Sequence, residues 1–448
     1  MRILTLLIIL TSLFILFNHP LSPDEGIVLD GAWKMYNGQH LYKDFFSLIT
    51  PGSFLITKLS FDLLGPTYFS ARLFTVILLL TSAFAIYHIA FLIKPSKTFS
   101  MLAAWLWIFV NSFSFQLINY NSQSSYLSVI AIYCLLKALM AKTKLAFFLC
   151  GFSAGIIILF LQSKGFVISL LFLAVIIWYI VIKKIGRLSP VFFILGLSIV
   201  PILIGEIWGY KLSFDNFLLW PIKNVAPVPN RALPYNISQF YILLFIVLSI
   251  SSLKIKKINL NFAKILILVQ ISLFLLIYSR LDPEHLLVNS FGFVVITLLV
   301  LFHFFEKYHL LNLVTQNKFV SFYFLSLSIV TLFSFFSNST ISYLNFMDTI
   351  KVYRFTKFYS HPFAPNLYFE FKINDPYPYN FLVTRIHPES AFLQNLSVLK
   401  KEDPPYVLTY YQNVLQYNFD KSNSIDSYLR ERYKEVGKIN NLTILQKN

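Results

Sequence analysis

Charge is scarce in this chain. Of 448 residues, 13% are charged and 57% hydrophobic, and the mean hydropathy is +0.66. A soluble domain carries about 25% charged residues, so the shortage excludes an ordinary soluble globule. Acids are scarcer than bases, with 20 Asp and Glu against 37 Lys and Arg and a net charge of +17. Such a surplus can signal nucleic acid. Here most Lys and Arg outside the C-terminal region sit in short breaks between apolar blocks. No clustered basic face is visible, so no nucleic-acid partner is expected. There are two cysteines, Cys134 and Cys150. Both lie inside apolar blocks without metal-ligand spacing and read as small buried hydrophobes. The chain also lacks a Walker A sequence or another Gly-rich phosphate loop, which argues against nucleotide-driven chemistry on the cytoplasmic side.

What is present is a series of apolar blocks, each about the length that spans a hydrocarbon core. The pattern predicts about eleven spans, near 3–17, 69–93, 99–118, 124–140, 145–162, 166–182, 190–205, 237–253, 262–279, 287–305 and 319–336. With the N-terminus in the cytoplasm, the basic breaks all fall inside: Lys94 and Lys97; Lys142 and Lys144; Lys183, Lys184 and Arg187; Lys254, Lys256 and Lys257; Lys307 and Lys318. The fifth and sixth spans flank Ser163-Lys164-Gly165, and a re-entrant hairpin there would preserve the parity. The segment after Phe17 has no small-residue cleavage pattern, so the first span reads as a retained anchor rather than a signal peptide.

Three outer regions are long, near 18–68, 206–236 and 337–448. The last is polar and Tyr-rich. In it "YVLTYY" reads as a buried strand, "SIDSYLRERYKEVG" as a short helix ending at Gly437, and "NLTILQK" as a closing strand. The expected fold is mainly α: a polytopic transmembrane helical bundle with amphipathic outer-loop helices and a small α/β C-terminal extracytoplasmic domain. The expected domains are 1–336, whose first outer loop is 18–68, and 337–448.

That first loop holds two acids close to the apolar start of the chain. Ser22-Pro23-Asp24-Glu25 has the form of a capping box, with Ser22 as N-cap, Pro23 at N1 and Glu25 at N3. Asp24 suits the positive end of the helix dipole. The helix is expected to run to Asn37 and stop at Gly38. Ile27, Val28, Leu29, Ala32, Trp33 and Met35 give it a broad apolar side, which predicts a helix lying along the membrane interface. A carboxylate held there can take a proton from an attacking hydroxyl.

The order of features is specific. An apolar span is followed by Pro23-Asp24-Glu25-Gly26, an amphipathic helix, "NGQHLYKDFFSLITPG" and a span opening on Ala71-Arg72-Leu73. This order resembles the GT-C superfamily of membrane glycosyltransferases. In particular it is similar to the branch holding protein O-mannosyltransferases, aminoarabinose transferases and rhizobial galacturonosyltransferase-like proteins. The span-and-loop plan covers the whole chain, and the motif match is concentrated in 18–75. The resemblance implies that Asp24 is the catalytic base, with Glu25 as supporting acid or occasional metal ligand. It also matches Gly38, Tyr42, Asp44, Pro51 and Gly52, with Tyr42 and Asp44 on the substrate side.

Other charges at outer ends of spans complete the expected site. Arg72 either snorkels to the interface or holds a phosphate oxygen of a polyprenyl donor. Lys164, in "LQSKGF", is either an ordinary loop lysine or a neutraliser of donor phosphate. "YSRLDPEHLLV" contains Arg280, Asp282, Glu284 and His285, in the Arg-x-Asp-x-x-His order of many relatives; a solvated turn with an internal Arg–Asp pair is the plainer reading. Tyr120 and Asn121 read as lining. One histidine among scattered acids is not a zinc signature. No obligatory metal is expected, although a divalent ion is compatible with the family.

The function implied is an inverting glycosyltransferase, hexosyl or pentosyl, with a lipid-linked donor. It would move a sugar from a polyprenyl phosphate to a glycan, lipid or protein acceptor of the bacterial cell envelope. It would sit in the cytoplasmic membrane, N-terminus inside and C-terminal domain outside. Two rival classes are a transporter or lipid flippase and a non-catalytic envelope-assembly protein of the same fold. Transporters often show internal repeats and paired broken helices, and neither is visible.

Overall fold

The computed structural model describes residues 17, 23–47, 49–112, 117–209, 235–277, 283–308 and 355–448. The expected spans near 3–17 (Phe17 aside) and 319–336 lie outside the described residues, as do Arg280 and Asp282.

In chain order the helices are α1 (Pro23–Tyr36), α2 (Pro51–Leu64), α3 (Tyr68–Ile93), α4 (Lys97–Ser112), α5 (Tyr120–Ala141), α6 (Lys144–Phe160), α7 (Gln162–Val181), α8 (Ser189–Trp208), α9 (Tyr235–Leu253), α10 (Leu260–Ile277), α11 (Pro283–Val288), α12 (Phe291–Lys307), α13 (Asn366–Phe371), α14 (Glu389–Glu402) and α15 (Ser424–Arg432). The strands are β1 (Phe358–Pro362), β2 (Tyr406–Tyr410), β3 (Tyr433–Ile439) and β4 (Leu442–Lys447). The other nine expected spans each coincide with a helix. Five of these helices, α3, α5, α7, α8 and α10, are long and apolar enough to cross a bilayer, and the chain is an integral membrane protein.

The chain divides into two compact regions. The first draws on Met1–Asn18, Thr75–Leu203 and Ala232–Phe335, the second on His19–Phe74, Ile204–Arg231 and Phe336–Asn448. In the first, long apolar helices pack around Trp107, Tyr126 and Phe291. Close approach of α6 and α8 depends on glycine. A Cβ at Gly151 would lie 1.9 Å from the Phe193 carbonyl oxygen, and one at Gly196 2.0 Å from that of Phe148. Small residues of this kind let membrane helices touch backbone to backbone. Helices α6 and α7 are separated by Leu161 alone, whose N–H is held by the Ile157 carbonyl at 2.8 Å. Lys164 therefore sits in the first turn of α7, not in a loop.

The second region combines α1, α2 and the C-terminal elements. Its sheet has the order β1-β2-β4-β3, with β1 parallel to β2 and the other pairs antiparallel. The strands expected from "YVLTYY" and "NLTILQK" are β2 and β4. The helix expected to reach Gly437 instead ends at Arg432, and Tyr433–Ile439 forms β3. Pairing with β4 supplies partners for that backbone, and the Tyr433 hydroxyl donates to the Pro404 carbonyl at 2.9 Å. Tertiary pairing thus overrides a helical pattern.

Helix α1 also departs from expectation. Its apolar side is covered by protein, not left to face lipid. A Cβ at Gly31 would meet the Phe54 ring of α2 at 2.6 Å, and one at Gly26 would meet Asn366 at 3.0 Å. Trp33 donates to the Ile373 carbonyl at 2.9 Å and meets Phe369 edge-on. The helix closes at Tyr36, and Gly38 takes a φ of +89° just beyond it. A left-handed residue after the last turn is the usual stop, and glycine adopts it without strain.

Candidate functional site

The first turn of α1 separates its two acids. Successive side chains on a helix diverge by roughly 100°, so Asp24 and Glu25 point differently. Glu25 turns inward and is 1% exposed. Its Oε2 lies 4.0 Å from Nη2 of Arg72, which is itself 3% exposed. Asp24 stays partly exposed. Arg72 therefore does not snorkel: it is buried against a carboxylate of the same region. Ser22, the expected cap, lies outside the described residues. One turn before Arg72 on α3, the Tyr68 hydroxyl donates to Glu370 of α13.

The rest of the first-loop motif shapes the chain. Tyr42 is buried with a φ of +67°, and its N–H is bonded to the Phe45 carbonyl at 2.7 Å. Burial raises its phenol above the ordinary range. Asp44 accepts from the His40 N–H at 2.7 Å and lies 3.1 Å from His40 Nδ1. The His40 amide bond is the main reason its carboxyl lies below the usual carboxylate range. Pro51 occupies the first turn of α2, as its fixed φ favours.

A second polar cluster lies in the first region, around Lys164. This lysine is 1% exposed. Its Nζ donates to Ser125 Oγ at 2.6 Å and to the Asn121 carbonyl at 3.1 Å. Ser125 Oγ in turn donates to Asn289 Oδ1 at 2.9 Å, and Asn289 Nδ2 donates to the His285 carbonyl at 2.7 Å. Asn121 Nδ2 stands 3.4 Å from His285 Nε2. Gln270 braces the group: its Nε2 donates to the Asn289 carbonyl at 2.7 Å, and its Oε1 accepts from the Gly292 N–H at 2.8 Å. Both acceptors of the lysine are neutral oxygens. A buried ammonium normally requires a counter-charge. This network surrounds a buried amine with neutral dipoles.

The structure thus brings Glu25 to Arg72, and Lys164 to Asn121 and His285. It adds residues that sequence reasoning missed. Gln270 is an isolated polar residue in the apolar α10, Ser125 lies in the polar opening of α5, and Asn289 lies in the turn between α11 and α12; these polar interruptions were their available signal. Glu370 and a buried set of Asp30, Lys34 and Asp375 had no local signal, because their partners lie some three hundred residues away. Burial raises the Glu370 carboxyl to about 7, against the opposing pull of Lys372. Among the described residues, no group of three or more His, Cys, Asp or Glu is placed to hold a metal ion.

A mainly helical membrane fold with a C-terminal α/β region is one that this chain shares with solved membrane proteins. The crystal structure of ArnT from Cupriavidus metallidurans bound to undecaprenyl phosphate matches with a TM-score of 0.65 and 12% identity, over 98% of this chain and 97% of that one. The apo structure of the same ArnT matches with a TM-score of 0.62 and 13% identity over the same shares. The archaeal oligosaccharyltransferase AglB from Archaeoglobus fulgidus, in complex with an inhibitory peptide and a dolichol-phosphate, matches with a TM-score of 0.51 and 10% identity. That match covers 99% of this chain and 74% of AglB. No family model and no curated protein matches the sequence.

Proposed function

We propose that the chain is an inverting glycosyltransferase. It moves a sugar from a polyprenyl-phosphate donor to a cell-envelope acceptor on the extracytoplasmic face of a bacterial cytoplasmic membrane. The observation that carries this reading is the buried Lys164, whose partners are all neutral. An anionic headgroup in a lipid-accessible protein is the natural complement to such a site. The GT-C fold and the undecaprenyl phosphate bound by the structurally similar ArnT support the same headgroup chemistry.

In this mechanism the acceptor hydroxyl attacks the anomeric carbon from the face opposite the phosphate. The new C–O bond forms as the sugar–phosphate bond breaks, and polyprenyl phosphate leaves. Asp24, the accessible acid of the pair, takes the hydroxyl proton. Glu25 stays with Arg72, so that Arg72 serves chiefly to fix the first turn of α1. Lys164 stabilises the leaving phosphate, and His285 with Asn121 sets the polar wall beside it. Arg280 and Asp282, next to His285 in sequence, are proposed donor contacts.

The test is Asp24→Asn in isolated membranes, read as sugar released from a labelled polyprenyl-phosphate pool. Transfer should fall by about 10²–10⁴-fold, the usual contribution of a general base, with protein level unchanged. Normal transfer would overturn the assignment of the base.

A further inference from the structure

Three side chains that are charged in water are sealed together in the second region. Asp30 and Lys34 lie one turn apart on α1, and Asp375 comes from the segment after α13. All three are 0% exposed. Lys34 Nζ is 2.9 Å from Asp375 Oδ2, donates to the Tyr377 carbonyl, and stands 5.2 Å from the Phe45 ring centroid. Asp375 Oδ1 accepts from the Tyr377 N–H at 2.9 Å.

The segment 373–380 runs along α1 as a strap. Ile373 accepts from Trp33 at 2.9 Å, the Asp375 carbonyl accepts from Gln39 at 2.8 Å, and Asn380 donates to the Ile27 carbonyl at 3.4 Å. Both carboxyl oxygens of Asp30 are buried and neither completes a hydrogen bond of good geometry, with the Asn380 amide as the neutral donor nearby. An ionised Asp30 would therefore be poorly compensated beside a second carboxylate.

Charge counting settles the arrangement. Two carboxylates and one ammonium, all ionised, would bury a net negative charge at high cost. One proton shared between the acids makes the set neutral. Asp375 already has the ammonium and the Tyr377 amide, so the proton belongs on Asp30, which can then donate to Asp375.

We propose that Lys34, Asp375 and Asp30 form a charge-neutral clamp that fixes α1 against the 373–380 strap, making Lys34 and Asp375 positioning residues for Asp24 at the start of that helix. The functional half of this statement rests on the reading of Asp24 as the base. The clamp itself does not. In support, burial raises the Asp30 carboxyl well above the usual carboxylate range. The Asp375 charge raises it further, and Lys34 opposes both. Asp375 is also raised by burial, again opposed by Lys34. The titratable groups facing the set are Lys34 from α1 and, from the C-terminal elements, Asp375, Tyr359, Tyr368 and Tyr377. Phe45 closes the first-loop side.

The experiment uses the full chain in lipid nanodiscs. Spin labels at the exposed Asn37 and Lys401, in a background without Cys134 and Cys150, report the distance between α1 and the C-terminal elements. Lys34→Met or Asp375→Asn should widen that distance distribution at least twofold. The double variant Lys34→Met/Asp375→Asn, which removes the pair without stranding a charge, should be narrower than either single variant and still broader than the original chain. Unchanged widths in the single variants, or the original width in the double variant, would overturn the clamp.

Infrared spectroscopy covers the case in which a single variant does not fold. In a Glu370→Gln background, which removes the other carboxyl raised to about 7, the chain at neutral pH should show the carbonyl stretch of a protonated carboxyl, and adding Asp30→Asn should remove it. A band unchanged by adding Asp30→Asn would overturn the proton assignment. Neither measurement needs a substrate. Their failure would leave the Asp24 reading standing, and normal transfer by Asp24→Asn would leave the clamp standing.

Discussion

Among the described residues, each region of this protein has one fully buried lysine, and the two are satisfied in opposite ways. Lys34, in the second region, meets Asp375 at 2.9 Å. Lys164, in the first, meets a serine hydroxyl and a backbone carbonyl among the described residues. Removing an ion from water costs several kcal/mol unless another charge offsets it. Lys34 is offset from within, so its site is closed and structural. Lys164 has neutral partners among the described residues, which is the basis for proposing an anion there. The same residue type, equally buried, is paired with a charge in one place and with neutral groups in the other.

The largest way to break this comparison is to remove one half of the closed pair. Asp375→Asn should destabilise the second region by about 3–5 kcal/mol, the usual cost of stranding a buried partner, read as a lowered midpoint in thermal unfolding. Lys164→Met should behave oppositely. With no counter-ion to strand, it should leave stability unchanged or raise it by about 1 kcal/mol. Equal losses from the two substitutions would erase the distinction.

Glu370 sharpens the picture at intermediate scale. Burial holds its carboxyl at about 7 in the folded chain, against about 4.3 when unfolded. A folded value above the unfolded one means that its stabilising effect is complete below about pH 4 and is lost as pH rises through about 7. Glu370→Gln should flatten that decline in a pH series of unfolding midpoints. The smallest effect is expected at Asp44, whose partner His40 is also exposed. Asp44→Asn should change stability by no more than about 0.5 kcal/mol, because its bonds shape a surface turn.

Much of the fold was legible in sequence because a bilayer enforces long apolar helices with basic breaks. The spans near 69–93 and 262–279 agree with α3 and α10 almost to the residue. The first-loop helix was legible too, since Pro23 and Gly38 mark its ends by backbone chemistry. Its surroundings were not. An apolar helix face has the same composition whether it meets lipid or the 373–380 strap. "INDPYPYNF" gives no sign that Asp375 will find Lys34 across three hundred residues. The helix expected through Gly437 failed because pairing between β3 and β4 is a tertiary fact. For the site, acids and bases at the ends of spans could be named, but which were buried, and which were paired, depended on packing. Glu25 and Asp24 are neighbours in sequence, yet Glu25 is buried beside Arg72 while Asp24 is partly exposed.

The most direct test of the account is binding of undecaprenyl phosphate to the purified chain and to Lys164→Met, with Lys34→Met/Asp375→Asn as the matched control for a buried lysine. A charged hydrogen bond is worth about 1.5–3 kcal/mol, or about ten- to a hundredfold in Kd. Lys164→Met should weaken binding by that factor, and the control should bind as the original chain does. Unchanged binding by Lys164→Met would contradict the claim that the neutral-walled lysine is the donor's phosphate site.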